Sequence, residues 1–262
     1  MSLRVNIRRT TRDDYLAKLR AAGIGASAST VCPQGIRLEQ PVDVSELPGF
    51  ARGELSVQDE AAQLAATLLA AESGERILDA CSAPGGKACH ILELQPALRE
   101  LVAADVDRLR LEKVAENLQR LALDATLQSA DATSPAGSFS ANNFDRILVD
   151  APCSASGVIR RHPDVKILRR PEDIGQMADQ QLNILLGLWP LLKPGGKMLY
   201  ATCSIFDEEN SHVVEKFLRR QTDARYSIPS GSWGEVTSHG RQLLPSEEGP
   251  DGLFYAFLSK AS

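Results

Sequence analysis

Four short apolar runs recur along this chain with helical stretches between them: Arg76-Ile77-Leu78-Asp79-Ala80, Leu101-Val102-Ala103-Ala104-Asp105, Arg146-Ile147-Leu148-Val149-Asp150 and Lys197-Met198-Leu199-Tyr200-Ala201. Each is too short for a helix, and its apolar residues are consecutive rather than alternate, so the strand it forms must be covered on both faces. Residues 126–130 add a fifth strand. Between the second and the fifth, residues 108–121 place Leu111, Val114, Ala115, Leu118 and Leu121 along one helical face. Strands buried on both sides and alternating with helices call for a doubly wound α/β domain, with a parallel sheet between two helical layers.

The flanks differ from this pattern. A short helix is expected over residues 13–22, stopped by Gly23 and Gly25. The segment 26–48 then passes through Pro33, Gly35, Pro41 and Pro48 with brief apolar stretches such as Ile36-Arg37-Leu38. Residues 1–52 therefore read as a small basic α+β appendage and 53–262 as the main domain, whose first helix is expected to begin at Ser56. At the C-terminal end, Gly231, Gly234, Gly240, Gly249 and Gly252 punctuate short segments leading to 253–257, which predicts a terminal antiparallel strand pair.

Several classes of function are excluded early. The apolar stretches around 61–71 and 184–192 fall short of the roughly 20 residues that cross a bilayer, so no membrane span is expected. The N-terminus is basic and polar where a secretory signal would be apolar, which predicts a reducing, cytoplasmic setting. The five cysteines, Cys32, Cys81, Cys89, Cys153 and Cys203, form no CxxC pair. Free thiols and no metal are expected. A monomer is favoured. The net charge of -5 hides two basic runs. Residues 4–20 carry six basic side chains against Asp13 and Asp14, and residues 156–171 carry five against Asp164. Such patches suit an anionic partner.

In an open α/β sheet, ligands bind beyond the carboxyl ends of the strands. The first strand of the main domain runs into Asp79-Ala80-Cys81-Ser82-Ala83-Pro84-Gly85-Gly86-Lys87 and directly into a helix, a turn that lets backbone approach a ligand closely. This is neither GxGxxG nor GxxxxGK[ST], which disfavours a dinucleotide or a nucleoside triphosphate. Asp105, ending the second strand, can accept both hydroxyls of a ribose. Asp131 can meet an adenine amino group, and Asp150 faces the same crevice. Asp107 is a rival for the ribose, but its place just ahead of a helix makes it an N-cap.

Two further strand ends carry thiols, Asp150-Ala151-Pro152-Cys153-Ser154 and Ala201-Thr202-Cys203-Ser204. If those strands are neighbours, both cysteines emerge beside the cofactor, and either one could serve as a nucleophile. Lys87, or a helix N-terminus following Cys203, could favour the thiolate. The run Asp207-Glu208-Glu209-Asn210 reads as helix N-terminal charge. His162 is a candidate nucleic-acid contact; His90 has no assigned role.

Together the glycine-loop, Asp-Ala-Pro-Cys-Ser and Ala-Thr-Cys-Ser motifs resemble the RNA (cytosine-5)-methyltransferases of the Nol/Nop/Sun superfamily. The stretch Ser156-Gly-Val-Ile-Arg-Arg-His-Pro-Asp-Val-Lys166 is similar to the bacterial Sun/Fmu type, which acts on 16S ribosomal RNA, with cytosine 967 as the family's target. The resemblance extends over the whole chain. It implies a seven-stranded Rossmann-like sheet, S-adenosylmethionine as cofactor and Cys203 as the nucleophile, with Cys153 assisting product release. Cofactor residues carry over to Cys81, Ser82, Ala83, Pro84, Gly85, Gly86, Lys87, Asp105, Asp131 and Asp150. Arg8, Arg9, Arg160, Arg161, His162 and Lys166 become candidate RNA contacts.

The chemistry agrees with that assignment. Cytosine carbon 5 becomes nucleophilic only after a thiolate adds to carbon 6, and a carboxylic acid at Asp150 in a partly desolvated site suits the proton transfer at ring nitrogen 3. Ser82 and Ala88 depart from the family's usual alanine and threonine, a change expected to adjust cofactor packing. Family members also carry an N-terminal helical domain resembling the antitermination factor NusB, and the match begins after it, so a truncated form or a short paralogue is expected. The competing readings are a DNA cytosine-5 methyltransferase using Cys153 and a catalytically silent RNA-binding paralogue.

Overall fold

The computed structural model describes residues 1–262 apart from Ala136, Ser138 and Glu248. The chain opens with β1 (Ser2–Val5), α1 (Arg12–Ala21), β2 (Ala26–Ala28), β3 (Gly35–Leu38) and β4 (Leu55–Val57). Among the described residues these strands form a four-stranded antiparallel sheet in the order β2-β3-β1-β4. Tyr15 and Leu19 of α1 close its core against Leu3, Ile36 and Leu55. Two details depart from the sequence reading. The small sheet takes in Leu55–Val57, past the boundary expected after residue 52, because Leu55 fills this core and Leu3 pairs with Val57. The helix expected from Ser56 starts at Glu60 instead, where the Asp59 side chain accepts from the Ala61 N–H as N-cap.

The main domain continues with α2 (Glu60–Leu69), β5 (Arg76–Ala80), α3 (Gly86–Leu94), β6 (Glu100–Asp105), α4 (Arg108–Leu121), β7 (Thr126–Ser129), β8 (Phe144–Asp150), α5 (Val165–Leu168), α6 (Pro171–Leu188), β9 (Leu192–Thr202), α7 (Ser211–Arg220), β10 (Ala224–Ser227), β11 (Glu235–Val236), β12 (Arg241–Leu243) and β13 (Leu253–Lys260). The sheet order is β11-β12-β13-β9-β8-β5-β6-β7, with β10 also paired to β13. Strands β5 to β9 are mutually parallel and β13 runs antiparallel to β9.

Nine strands are present among the described residues where seven were expected. β13 is eight residues long, enough for β10 and β12 to pair with its two halves end to end, and β11 pairs with β12. α2, α3 and α4 cover one face through Leu64, Leu69, Ile91, Val114 and Leu118, while α6 and α7 cover the other through Leu182, Leu185, Val214 and Phe217. The doubly wound arrangement follows from strands that are apolar on both sides.

One buried cation joins the two sheets. Arg4 of β1 is fully buried, with its guanidinium forked onto Glu93 of α3 at 2.8 and 2.9 Å and a third bond to the Gly86 carbonyl at 2.8 Å. An Arg read as part of a basic surface run instead anchors the helix that follows the glycine loop.

Candidate active site

Because β5, β6, β8 and β9 are parallel, their carboxyl ends meet at one edge of the sheet. At the end of β5, Cys81 is held at φ +61 and Gly85 at φ +94. For Gly85 the left-handed backbone coincides with a close approach: a Cβ there would lie 2.9 Å from a Val114 methyl and 3.1 Å from the Val114 Cα. Ser82 Oγ donates to Asp79 Oδ2 at 2.8 Å, and the Ala83 N–H donates to Asp105 Oδ2 at 3.2 Å. Buried Asp105 also accepts from the Asp107 N–H at 3.1 Å, and Arg110 lies 3.5 Å away. Asp107 itself caps α4, accepting from Leu109 and Arg110 N–H groups.

These ends surround a cavity of about 510 Å³ whose lining includes Cys81, Ala83, Asp105, Asp131, Asp150 and Cys203. An adenosine-type cofactor fits what is there. The volume is adequate, each Asp105 oxygen keeps a second lone pair for a ribose hydroxyl, and Val106 offers an exposed apolar side chain at the rim. Asp131 is exposed, and hydrogen bonds from the Thr133 hydroxyl and then its N–H hold its carboxyl below the usual range. Ser82, Pro84, Gly85, Gly86 and Lys87 shape the loop without lining this cavity.

β8 and β9 are neighbours, with Asp150 opposite Ala201. Their two cysteines therefore meet: Cys153 Sγ and Cys203 Sγ lie 3.2 Å apart. Lys87 Nζ reaches Asp150 Oδ2 at 2.6 Å beside them. The Cys153 hydrogen bond is the largest influence on Cys203 and lowers its pKa; burial and Asp150 oppose this, and Lys87 reinforces it. Cys153 moves the other way, well above an ordinary thiol, through the same hydrogen bond and then burial. Burial works against the Lys87 ammonium, but Asp150 outweighs it and the pKa ends above that of free lysine. A helix N-terminus after Cys203 contributes nothing, because α7 begins only at Ser211.

Sequence reasoning missed the group that joins the two cysteine loops. Glu209 sits in a short 3₁₀ turn ahead of α7 and is fully buried, so the helix-charge reading of that run does not apply to it. Its Oε1 accepts from the Ser154 N–H at 2.8 Å, and its Oε2 accepts from Ser154 Oγ at 2.6 Å and Ser204 Oγ at 2.5 Å. Gln181 of α6 donates to Oε1 at 3.0 Å and to the Pro152 carbonyl at 2.9 Å. Next to it, Asn210 donates to the Ser204 carbonyl at 3.0 Å and accepts from Thr202 Oγ1 at 2.5 Å. The available signal was the serine that follows each cysteine.

The candidate RNA contacts do not form one surface. Arg160 and Arg161 both pair with buried Asp251, and Arg160 also donates to the carbonyls of Ser246, Glu247 and Gly249. They brace the segment leading to Gly252 while remaining about one-third to one-half exposed. His162 and Lys166 are exposed just beyond, beside the exposed Ile167 and Leu168 of α5. Arg8 lines a separate cavity with Glu100 and Thr126, the first residues of β6 and β7, so Arg8 and its exposed neighbour Arg9 lie toward the opposite end of the strands from the cysteines. Among the described residues no group of His, Cys, Asp and Glu is placed to hold a metal, and no helix is long and apolar enough to cross a membrane.

The strand order and the cavity beyond the strand ends define a Rossmann-like α/β domain of the methyltransferase class. Residues 66–259 match the family described as 16S rRNA methyltransferase RsmB/F, and residues 1–45 match the ferredoxin-like domain of RsmF/B-like methyltransferases. The chain belongs to the 16S rRNA methyltransferase RsmB/F family. It is 52% identical to ribosomal RNA small subunit methyltransferase B of Pseudomonas syringae pv. tomato, over 99% of this chain and 59% of that protein. The protein of the same name from Vibrio cholerae is 52% identical over 99% of this chain and 58% of its own length. The chain thus spans well under two thirds of these relatives. A methyltransferase homologue from Pyrococcus horikoshii superimposes with a TM-score of 0.84 at 28% identity, covering 99% of this chain and 86% of that one.

Proposed function

We propose that this chain transfers a methyl group from S-adenosylmethionine to carbon 5 of a cytosine in 16S ribosomal RNA, with Cys203 as the covalent nucleophile. The observation that carries this reading is the thiol pair at 3.2 Å beside the Lys87–Asp150 ion pair, at the mouth of the strand-end cavity. Bound there, S-adenosylmethionine supplies an electrophilic methyl group. Asp105 would hold the ribose, Cys81 and Ala83 of the glycine loop would line the floor, and Asp131 would meet the adenine.

Cys203, its thiolate favoured by the Cys153 hydrogen bond, adds to carbon 6 of the flipped cytosine. The proton that Cys203 gives up passes to Asp150, which Lys87 holds in place, and from there to ring nitrogen 3 as addition places negative charge on the ring. Carbon 5 is then nucleophilic and takes the methyl group. The carbon 5 proton then passes to solvent, the electron pair it leaves reforms the ring double bond and expels Cys203, and the nitrogen 3 proton returns to Asp150. The Cys153 thiol, donating to the departing sulfur, stabilises it as thiolate. The DNA-methyltransferase alternative needs Cys153 as nucleophile, and that thiol is the one pushed up. Exposed His162 and Lys166 receive the RNA, with cytosine 967 the expected target.

Radiolabelled methyl transfer to 16S ribosomal RNA lacking the modification, followed by nucleoside analysis, tests the assignment. The expected product is 5-methylcytidine, absent with Cys203→Ala. A different methylated nucleoside, or full activity in that variant, overturns it.

A further inference from the structure

Ser154 and Ser204 follow the two cysteines on different strand ends, and no backbone hydrogen bond joins Ser154 directly to Ser204. Their hydroxyls lie 3.3 Å apart and each is 3.1 Å from Ser156 Oγ, and one buried carboxylate gathers this cluster: it accepts from the Ser154 N–H and from both serine hydroxyls, while Gln181 ties it to the Pro152 carbonyl. All five residues from Ser154 through Ser204, Gln181 and Asn210 to Glu209 itself are fully buried or nearly so, so no water competes for these bonds. Four donors converging on two oxygens fix the second residue of each loop, and the sulfurs one residue back are fixed with them.

We infer that Glu209 is a positioning residue for methyl transfer: by clamping Ser154 to Ser204 it sets the Cys153–Cys203 spacing, so that Cys153 remains the hydrogen-bond donor to the nucleophile. The inference rests on the reading of Cys203 as nucleophile. Its logic is geometric. An S–H···S contact at 3.2 Å is directional and short, and a loop displacement of an ångström removes it. Glu209 touches neither sulfur in any hydrogen bond, so its action runs through the serines.

The test reads Cys203 directly and needs no RNA. Alkylation by iodoacetamide is followed at the Cys203 peptide by mass spectrometry as a function of pH. Glu209→Ala should move the midpoint upward by about one unit, toward the roughly 8.5 of an unperturbed thiol. Glu209→Gln should stay near wild type, because an amide oxygen can accept from the Ser154 N–H and Gln181 while the two hydroxyls turn to accept from its NH₂. Glu209→Asp keeps the charge but loses the reach, and should shift like alanine; it serves where the alanine variant fails to fold. In a Cys153→Ala background the Glu209 substitutions should add no further shift, because the donor they position is already gone.

A group needed only for folding would lower the melting temperature and leave the midpoint in place. An unchanged midpoint in Glu209→Asp, or a full additional shift in the Cys153→Ala background, overturns the inference. Failure of wild-type protein to methylate RNA would instead strike the proposed function and leave this measurement standing.

Discussion

Cys153 and Cys203 are separated by fifty residues of sequence, and their sulfurs lie 3.2 Å apart at the ends of adjacent parallel strands. The proton they share is not shared evenly: the hydrogen bond lowers Cys203 and raises Cys153. Reactivity toward iodoacetamide requires thiolate and therefore grows with pH. Cys203 should react at lower pH than the other thiols, since burial pushes Cys32 and Cys89 up to about 12. Peptide mapping after a brief exposure at pH 7.5 checks the order; preferential labelling of Cys153 would reverse the roles of the pair.

Lys87 and Asp105 serve different ends of the site and should separate kinetically. Lys87 pairs with Asp150 and does not line the cavity, whereas Asp105 does line it. Lys87→Met is expected to lower kcat by about 100-fold with little change in S-adenosylmethionine affinity. Asp105→Ala should weaken that affinity about 10- to 100-fold, the worth of one hydrogen bond to a charged group. Calorimetric titration alongside steady-state kinetics separates the two, and equal cofactor affinities in the two variants would refute the division.

The parallel strands and their carboxyl-end placement were legible in the sequence because runs such as 146–150 are apolar on successive residues, which leaves them no exposed face. The meeting of Cys153 and Cys203 was legible conditionally, on adjacency of their strands. Glu209 was not, because an acidic residue in a DEEN run reads as helix-end charge until the fold buries it. Charge counted along the chain is likewise silent on pairing. Arg4 is consumed by Glu93, and the other two are turned onto Asp251. The start of α2 was lost to β4 because Leu55 is claimed by the core of the small sheet.

Backbone contacts also hold the nucleophile loop. The Gly157 N–H donates to the Cys203 carbonyl at 2.8 Å and the Gly252 N–H to the Gly157 carbonyl at 2.8 Å. A Cβ at Gly157 would lie 2.1 Å from the Gly252 carbonyl oxygen and 2.9 Å from that of Cys203. Gly157→Ala should therefore cost about 1–3 kcal/mol of stability, measured by urea denaturation, and should reduce methyl transfer as well. A variant of wild-type stability would show that the three segments are not packed this closely.

Asp79 is fully buried under the glycine loop, with Oδ1 lacking a hydrogen-bond partner, and burial raises its pKa from 3.8 to about 7. A raised folded-state pKa means the native state binds more protons, so this group's contribution is fully present below about pH 4 and is lost as pH rises to about 7. Asp79→Asn cannot ionise and escapes that loss. Its stability relative to wild type should improve between pH 4 and pH 8, by a few kcal/mol at most. Thermal denaturation across that range checks the sign; a difference independent of pH would place the titration elsewhere.

Covalent trapping addresses the central claim without intermediate assumptions. RNA carrying 5-fluorocytidine at the target position is methylated but has no carbon 5 proton to lose, so the nucleophile stays bonded to carbon 6. Incubated with S-adenosylmethionine and digested, the complex should yield one modified peptide, carrying the nucleotide on Cys203, and Cys203→Ala should yield none. A nucleotide on Cys153, or methyl transfer with no protein–RNA adduct, would contradict the account.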